Sequence, residues 1–315
     1  MRNTRYLLSF CFLLLLNFSA CKKKTKQKEN VLALEPSLKK ENSVKPSKKL
    51  NPEFKEYWYA GNAEITSYQL TQARYGELRE GNAVLIYVTE PFLADKQVKA
   101  DKPNKNNISV LKLNSTKNYL TGIYPYSIMN SSFYPVHDNS HALKISFSAQ
   151  EWCGHVYGQI NNKEDFEVMS HSYFENDADQ NFKLQKAVLE NEIWNKIRIN
   201  PDSLPIGNSK MIPSIEYTRL SHKELKAYNV ITSLETKENS NYYSIMYPEL
   251  ERNLIVQFSS KFPYFIEGWV ESFHSGFGAN KKKLISTAKK IKTVKTDYWN
   301  KHDNAHLYLR DSLKL

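Results

Sequence analysis

From about residue 63 onward, apolar and polar residues alternate in short runs, and each run is closed by a cluster of Gly, Asn, Asp, Lys or Glu. A two-residue period belongs to half-buried strands, and turn clusters about every ten residues belong to antiparallel meanders. The segments 64–70 and 83–89 read as a hairpin turning over 77–82, and 154–160 with 166–174 as a second turning on 161–165. Four more strands are expected over 225–234, 242–247, 254–259 and 265–272. One segment departs from the alternation. In 179–200, Phe182, Ala187, Val188, Ile193, Trp194 and Ile197 stand largely at three- and four-residue spacing, with Asp177 or Asp179 as a cap and Pro201 beyond. That spacing predicts an amphipathic helix laid on the sheet. A lysine-rich second helix is expected over 279–293. The fold class expected is α+β and β-rich: a curved antiparallel meander sheet or half-barrel with one main packed helix.

Composition supplies the core such a sheet needs. The 315 residues include 20 Tyr, 15 Phe and 5 Trp against only 10 Gly, which excludes disordered, collagenous and Gly-rich linker classes. The formal charge of +11 is uneven. Residues 1–50 hold 12 Lys/Arg against 3 Asp/Glu, or +9, and residues 51–315 hold 32 against 30. The globular part has no basic excess, so a nucleic-acid partner is not expected.

Arg2 and Arg5 precede an apolar run over 6–16 that closes on Phe18-Ser19-Ala20-Cys21, followed at once by Lys22, Lys23 and Lys24. The run is shorter than the about 20 residues a bilayer span needs. Small Ser19 and Ala20 fit a peptidase cleft before the cysteine, so residues 1–20 read as a lipoprotein signal peptide and Cys21 as the acylated (palmitate-bearing) first residue of the mature chain. Acyl chains contribute about 0.8 kcal/mol per buried methylene and anchor a protein to a membrane without a transmembrane helix. Residues 21–50, rich in Lys, Ser, Asn, Glu and Pro, read as a basic flexible tether, and 51–315 as one β-rich globular domain. Lys22 rather than Asp follows the cysteine, so the expected location is the cell envelope, on the outer membrane facing the periplasm. Cys11 leaves with the signal and Cys21 is acylated. Cys153 is then the one free thiol, and no internal disulfide is available.

The segments Tyr57-Trp58-Tyr59-Ala60-Gly61-Asn62-Ala63-Glu64, Gln72-Ala73-Arg74-Tyr75-Gly76-Glu77 and Gln150-Glu151-Trp152-Cys153-Gly154-His155 resemble those of a group of bacterial lipoproteins often filed under a septum formation inhibitor, or Maf-like, label. The resemblance runs over most of residues 51–315 and implies envelope attachment, but no activity. True Maf proteins are cytoplasmic nucleotide pyrophosphatases with a Ser-x-Ser-Pro-Arg-Arg signature, which this sequence lacks. A looser similarity, of architecture alone, is to lipid-anchored half-barrels that carry hydrophobic cargo across the periplasm.

The candidate chemistry centres on Cys153. In an extended segment Cys153, His155, Tyr157 and Gln159 share one face. A turn centred near Lys163 sets His155 opposite His171, Cys153 opposite Tyr173 and Tyr157 opposite Met169. A thiolate becomes a nucleophile when an imidazole depresses its pKa, so Cys153, with His155 or His171 as base and Glu151 as orienting carboxylate, is the candidate catalytic set. The same trio offers soft ligands of the kind zinc takes. His137 with His141, and His302 with His306, share a four-residue spacing, but their Asp-Asn centres favour turns over a metal-binding helix face. Trp152, Tyr157 and Tyr173 are the candidate ligand-binding aromatics. No motif asks for a cofactor, and no metal is assigned.

The function expected is that of a membrane-anchored envelope lipoprotein binding an apolar or envelope-derived ligand, such as a lipid, on a β-rich scaffold. A Cys153/His155-dependent hydrolase or transferase and a purely structural interaction lipoprotein are the alternatives.

Overall fold

The computed structural model describes Leu50 and residues 52–315. The expected signal peptide, Cys21 and the tether up to residue 49 lie outside the described residues. The chain enters through α1 (Pro52–Trp58) and continues through β1 (Ala63–Arg74), β2 (Glu77–Leu93), the short β3 (Val98–Lys99), β4 (Ile108–Thr121) and β5 (Tyr124–Pro135). Next come β6 (Lys144–Glu151), β7 (Gly154–Asn162), β8 (Phe166–Ser172), β9 (Gln180–Leu184) and β10 (Val188–Leu189). Helix α2 (Glu190–Ile199), β11 (Gly207–Ile212) and helix α3 (Ile215–Leu220) lead into β12 (Tyr228–Lys237), β13 (Ser240–Tyr247), β14 (Arg252–Ser259), β15 (Ile266–Ser275) and β16 (Lys282–Thr296).

All sixteen strands form one sheet, and β1 lies at its middle. From there β1 to β9 run outward to one edge, and β16 back to β10 run outward to the other. The β1–β16 pairing joins the two meanders, and β10 with β11 is a parallel pair. The sheet is strongly curved, and chain length shows it. β9 ends at Leu184 on one edge and β10 begins at Val188 on the opposite edge, so four Cα steps, about 14 Å at full extension, connect them. The open sheet therefore wraps around an interior, and α2, which follows β10, lies inside it. The main buried cluster runs from Phe54 to Ala288 over both meanders and both faces of α2, and a smaller cluster is built on Ala63, Ile65, Val84, Val88 and Leu313. Residues Lys45–Leu315 form one compact unit. It holds both clusters whole and folds on its own core.

The β-rich α+β expectation with one main packed helix describes this architecture. Three local expectations are corrected. The first hairpin turns on Tyr75-Gly76, and the expected turn at 77–82 is strand. The reason is backbone conformation: Tyr75 and Gly76 both take positive φ, 56° and 78°, which suits the twist of a two-residue hairpin. Residues 180–184 and 188–189 are strands, so the helix expected over 179–200 is confined to 190–199. The helix expected over 279–293 is strand β16, in which Ser286 and Ala288 are buried between exposed Ile285, Thr287 and Lys289. Alternation outweighed the count of helix-forming lysines.

Candidate functional site

On the outer face of β6–β8, the sequence-predicted residues come together only in part. The pairs Tyr157↔His171 and Gln159↔Met169 place β8 two residues from the expected register. An even slip keeps each side chain on its face, so His155, Tyr157, His171 and Tyr173 do share one side. Cys153 leaves the strand for the turn Trp152-Cys153 between β6 and β7. It is exposed. The Glu151 carboxylate accepts a hydrogen bond from the Cys153 backbone N–H at 2.7 Å and pushes the thiol pKa above its ordinary value, opposite to what nucleophilic activation requires. His171 faces Asp179 at 3.2 Å, both half-exposed or more. No hydrogen bond joins Cys153 to either histidine among the described residues. Trp152 and Tyr173 stand 68% and 77% exposed, and the Tyr173 ring lies so close over Gly154 that a Cβ there would meet it at 2.8 Å. Among the described residues no three His, Cys, Asp or Glu side chains converge as metal ligands. His141 instead meets Glu192 of α2 at 3.1 Å.

The interior holds a different set. Helix α2 is buried nearly all round, and its polar side chains point into the sheet that surrounds it. Glu190, Glu192, Asn195, Lys196 and Arg198 are each 5% exposed or less. Arg198 donates from Nη1 and Nη2 to the two oxygens of Glu64 in β1, at 2.6 Å each, and lies over the rings of Trp58 and Tyr87. Tyr57 donates to the same carboxylate at 2.5 Å. Asn195 donates to the Leu111 carbonyl at 2.7 Å, and Lys196 to the Tyr134 hydroxyl at 2.9 Å. At the other end of the helix, Glu190 accepts two bonds from Arg252 of β14, at 2.5 and 2.8 Å, and one from Tyr247 at 2.9 Å. Arg252 also donates to Glu271 at 2.6 Å. Burial works to raise the Glu190 pKa, but Arg252 and Tyr247 together outweigh it and hold the carboxyl below its ordinary value.

Beside this helix a cavity of ≈460 Å³ opens between α2, α3 and strands β1, β4, β5, β14 and β15. Trp194 of α2 and Trp269 of β15 meet edge to face in its wall, ring centres 5.3 Å apart. Lys117 and Asn130 tie α3 to the sheet by donating to the two oxygens of Glu216, each at 2.6 Å. Four buried polar atoms on the wall have no partner: the oxygens Gln72 Oε1, Asn130 Oδ1 and Ser132 Oγ, and the donor Arg74 Nε. Both amide orientations are set by neighbours, because Asn130 Nδ2 must face the Glu216 carboxylate and Gln72 Nε2 faces the Ala73 carbonyl. The two amide oxygens left over therefore offer acceptors to a ligand, and Arg74 Nε offers a donor. Exposed His222, Lys223, Phe277 and Lys281 form the mouth.

Sequence reasoning missed this interior set. The segment reads as an amphipathic helix from its apolar residues, and that reading assigns no role to Glu190, Glu192, Lys196 and Arg198. The quoted segments 57–64 and 72–77 did carry a signal, for they supply Tyr57, Trp58 and Glu64 around Arg198, and Gln72 and Arg74 on the cavity wall. No family model matches the chain, and no curated protein or solved structure matches it.

Proposed function

We propose that this protein is a non-catalytic binding protein of the cell envelope, tethered through a lipid on Cys21, and that its ligand enters the cavity beside α2. The observation that carries the reading is the cavity itself. Protein interiors pack to crystal density with few voids larger than a water molecule. A hole of ≈460 Å³ lies within the range of small-ligand pockets. Its walls combine indole faces with unpartnered acceptors, which suits a ligand with an apolar body and at least one hydrogen-bond donor. The outer-face thiol favours no second reading, since its nearest charged neighbour is the carboxylate of Glu151 rather than an imidazole.

The anchor and the ligand are tested together by gentle extraction of the full chain from its own membrane, followed by native mass spectrometry. The expected spectrum shows acyl mass on the N-terminal peptide beginning at Cys21, lost in Cys21→Ser, and a non-covalent species of a few hundred daltons held by the folded chain. A chain that carries no such species and takes up none from a total lipid extract contradicts the binding reading.

A further inference from the structure

Arg74 differs from Arg198, Arg252 and Lys117 in what surrounds its charge. Arg198 and Arg252 are each forked onto a carboxylate, and Lys117 is paired with Glu216. Arg74 has no carboxylate within ion-pair reach among the described residues. Its Nη1 donates to the Leu220 carbonyl at 2.7 Å, and its Nη2 to the hydroxyls of Tyr75 and Tyr126 at 3.2 and 3.0 Å. The guanidinium lies 4.1 Å from the Tyr75 ring centre and 5.1 Å from that of Tyr126. Its Nε–H is buried and has no acceptor. A cation taken largely out of water is costly unless it is neutralised, and neutral hydroxyls and a carbonyl orient this one without neutralising it.

The position is built rather than accidental. Arg74 ends β1 directly before the tight Tyr75-Gly76 turn. A Cβ at Gly76 would meet the Asn280 carbonyl oxygen at 2.3 Å, so only glycine lets this turn pack against the β15–β16 connection. Ser275 Oγ accepts from the Gly76 N–H at 3.2 Å, which holds the turn, and Arg74 with it, at the cavity mouth. Lys223 and Lys281, on the same mouth, make no ion pair among the described residues either. His222, on the same mouth, lies 3.8 Å from Asp177, and burial holds its pKa below the ordinary value, opposed by Asp177 and assisted by Arg219 and Arg74.

We infer that Arg74 is the anion-binding group of the cavity and that the ligand is an amphipathic anion. One carboxylate or phosphate pairs with Arg74 at the mouth, and an apolar or aromatic body lies along Trp194 and Trp269. This rests on the reading of the cavity as a ligand site and adds the chemical class of what it takes. The unused Nε–H supplies the short charge-assisted bond, and Lys223 and Lys281 supply a screened attraction.

The test uses residues 45–315 and two dyes that share one aromatic body: neutral N-phenyl-1-naphthylamine and 1-anilinonaphthalene-8-sulfonate, whose sulfonate stands in for the carboxylate or phosphate. Both are expected to bind, the sulfonate about tenfold tighter, the scale of one desolvated charged hydrogen bond. Arg74→Gln is expected to remove that preference and to leave the neutral dye within about twofold, and Arg74→Lys to keep part of it. Near-UV circular dichroism reports whether Arg74→Gln folds. If it does not, Lys223→Gln with Lys281→Gln, both on the surface, carries the test, with an expected loss of about threefold for the sulfonate alone. Dodecanoate and dodecyl phosphate are expected to displace the dye, each reporting its own headgroup, while inorganic phosphate does not. Displacement by inorganic phosphate alone overturns the amphipathic assignment. Equal affinity of the wild type for both dyes, a preference that survives Arg74→Gln, or, where that variant does not fold, no loss in the double lysine variant overturns the anion site and leaves the cavity reading standing. Failure of both dyes to bind overturns the cavity reading itself.

Discussion

The outer face of β6–β8 and the interior around α2 carry similar residue types in opposite settings. Outside, Cys153, His155 and His171 are exposed, and the charged contact of His171 is with an exposed Asp179. Such pairs contribute little, because water and salt screen them. Inside, Glu64, Arg198, Glu190 and Arg252 are 1–3% exposed and joined by two-pronged bonds. There each charge depends on its partner. Residue identity alone therefore says little about function in this chain, whereas enclosure decides which side chains are held in one geometry.

The contrast is broken most severely at Arg198. Arg198→Met leaves the Glu64 carboxylate buried without its cation, and the expected loss is about 3–5 kcal/mol, read by urea denaturation of residues 45–315. Adding Glu64→Gln to that chain is expected to restore part of it. If the double variant is no more stable than the single one, the buried charge is not the cause of the loss.

Acid sharpens the same point at Glu190. Its folded pKa lies below the ordinary 4.5, so its contribution is fully present above that value and is lost as pH falls through the folded one. Glu190→Gln is expected to cost about 1–3 kcal/mol near neutrality and to flatten the fall in stability below pH 4.5. An unchanged acid limb would show that another carboxylate carries it.

The smallest effects belong to the outer face. Cys153→Ala, His155→Ala and His171→Ala are each expected to shift stability by no more than about 0.5 kcal/mol. The rate at which the Cys153 thiol reacts with a maleimide is expected to climb about tenfold per pH unit with no plateau below the ordinary thiol value of 9.0, and the histidine variants are not expected to change it. A rate that levels off below about pH 7 and falls in a histidine variant would contradict that placement and return chemistry to this face.

How much of this was legible in the sequence follows from the kind of signal each element leaves. Alternation revealed β12 to β15 within a few residues, because one face of each is buried and the other is not. It misplaced the first turn, since Tyr75 carries no turn signal and its positive φ is imposed by packing around Gly76 and Asn280. The helix was found but overextended: Phe182, Ala187 and Val188 keep helical spacing by coincidence while lying in or beside edge strands. The cavity was not legible at all. Gln72, Lys117, Glu190 and Trp269 come from elements far apart in the chain, and only the wrapping of the sheet brings them to one place. The outer aromatics Trp152, Tyr157 and Tyr173 were conspicuous in sequence because Trp152 and Tyr157 flank Cys153 and His155, and Tyr173 falls at the end of the strand expected to pair with them.

The most direct test sets the two regions against each other in one titration. N-phenyl-1-naphthylamine is added to residues 45–315 carrying either Ser115→Trp, which fills the cavity from β4, or Trp152→Ala with Tyr173→Ala, which strips the outer aromatic platform. The account predicts that the cavity-filling variant loses affinity by about tenfold or more and that the outer variant stays within about twofold of the wild type. Loss in the outer variant with binding retained in Ser115→Trp would contradict it and place the ligand on the open face.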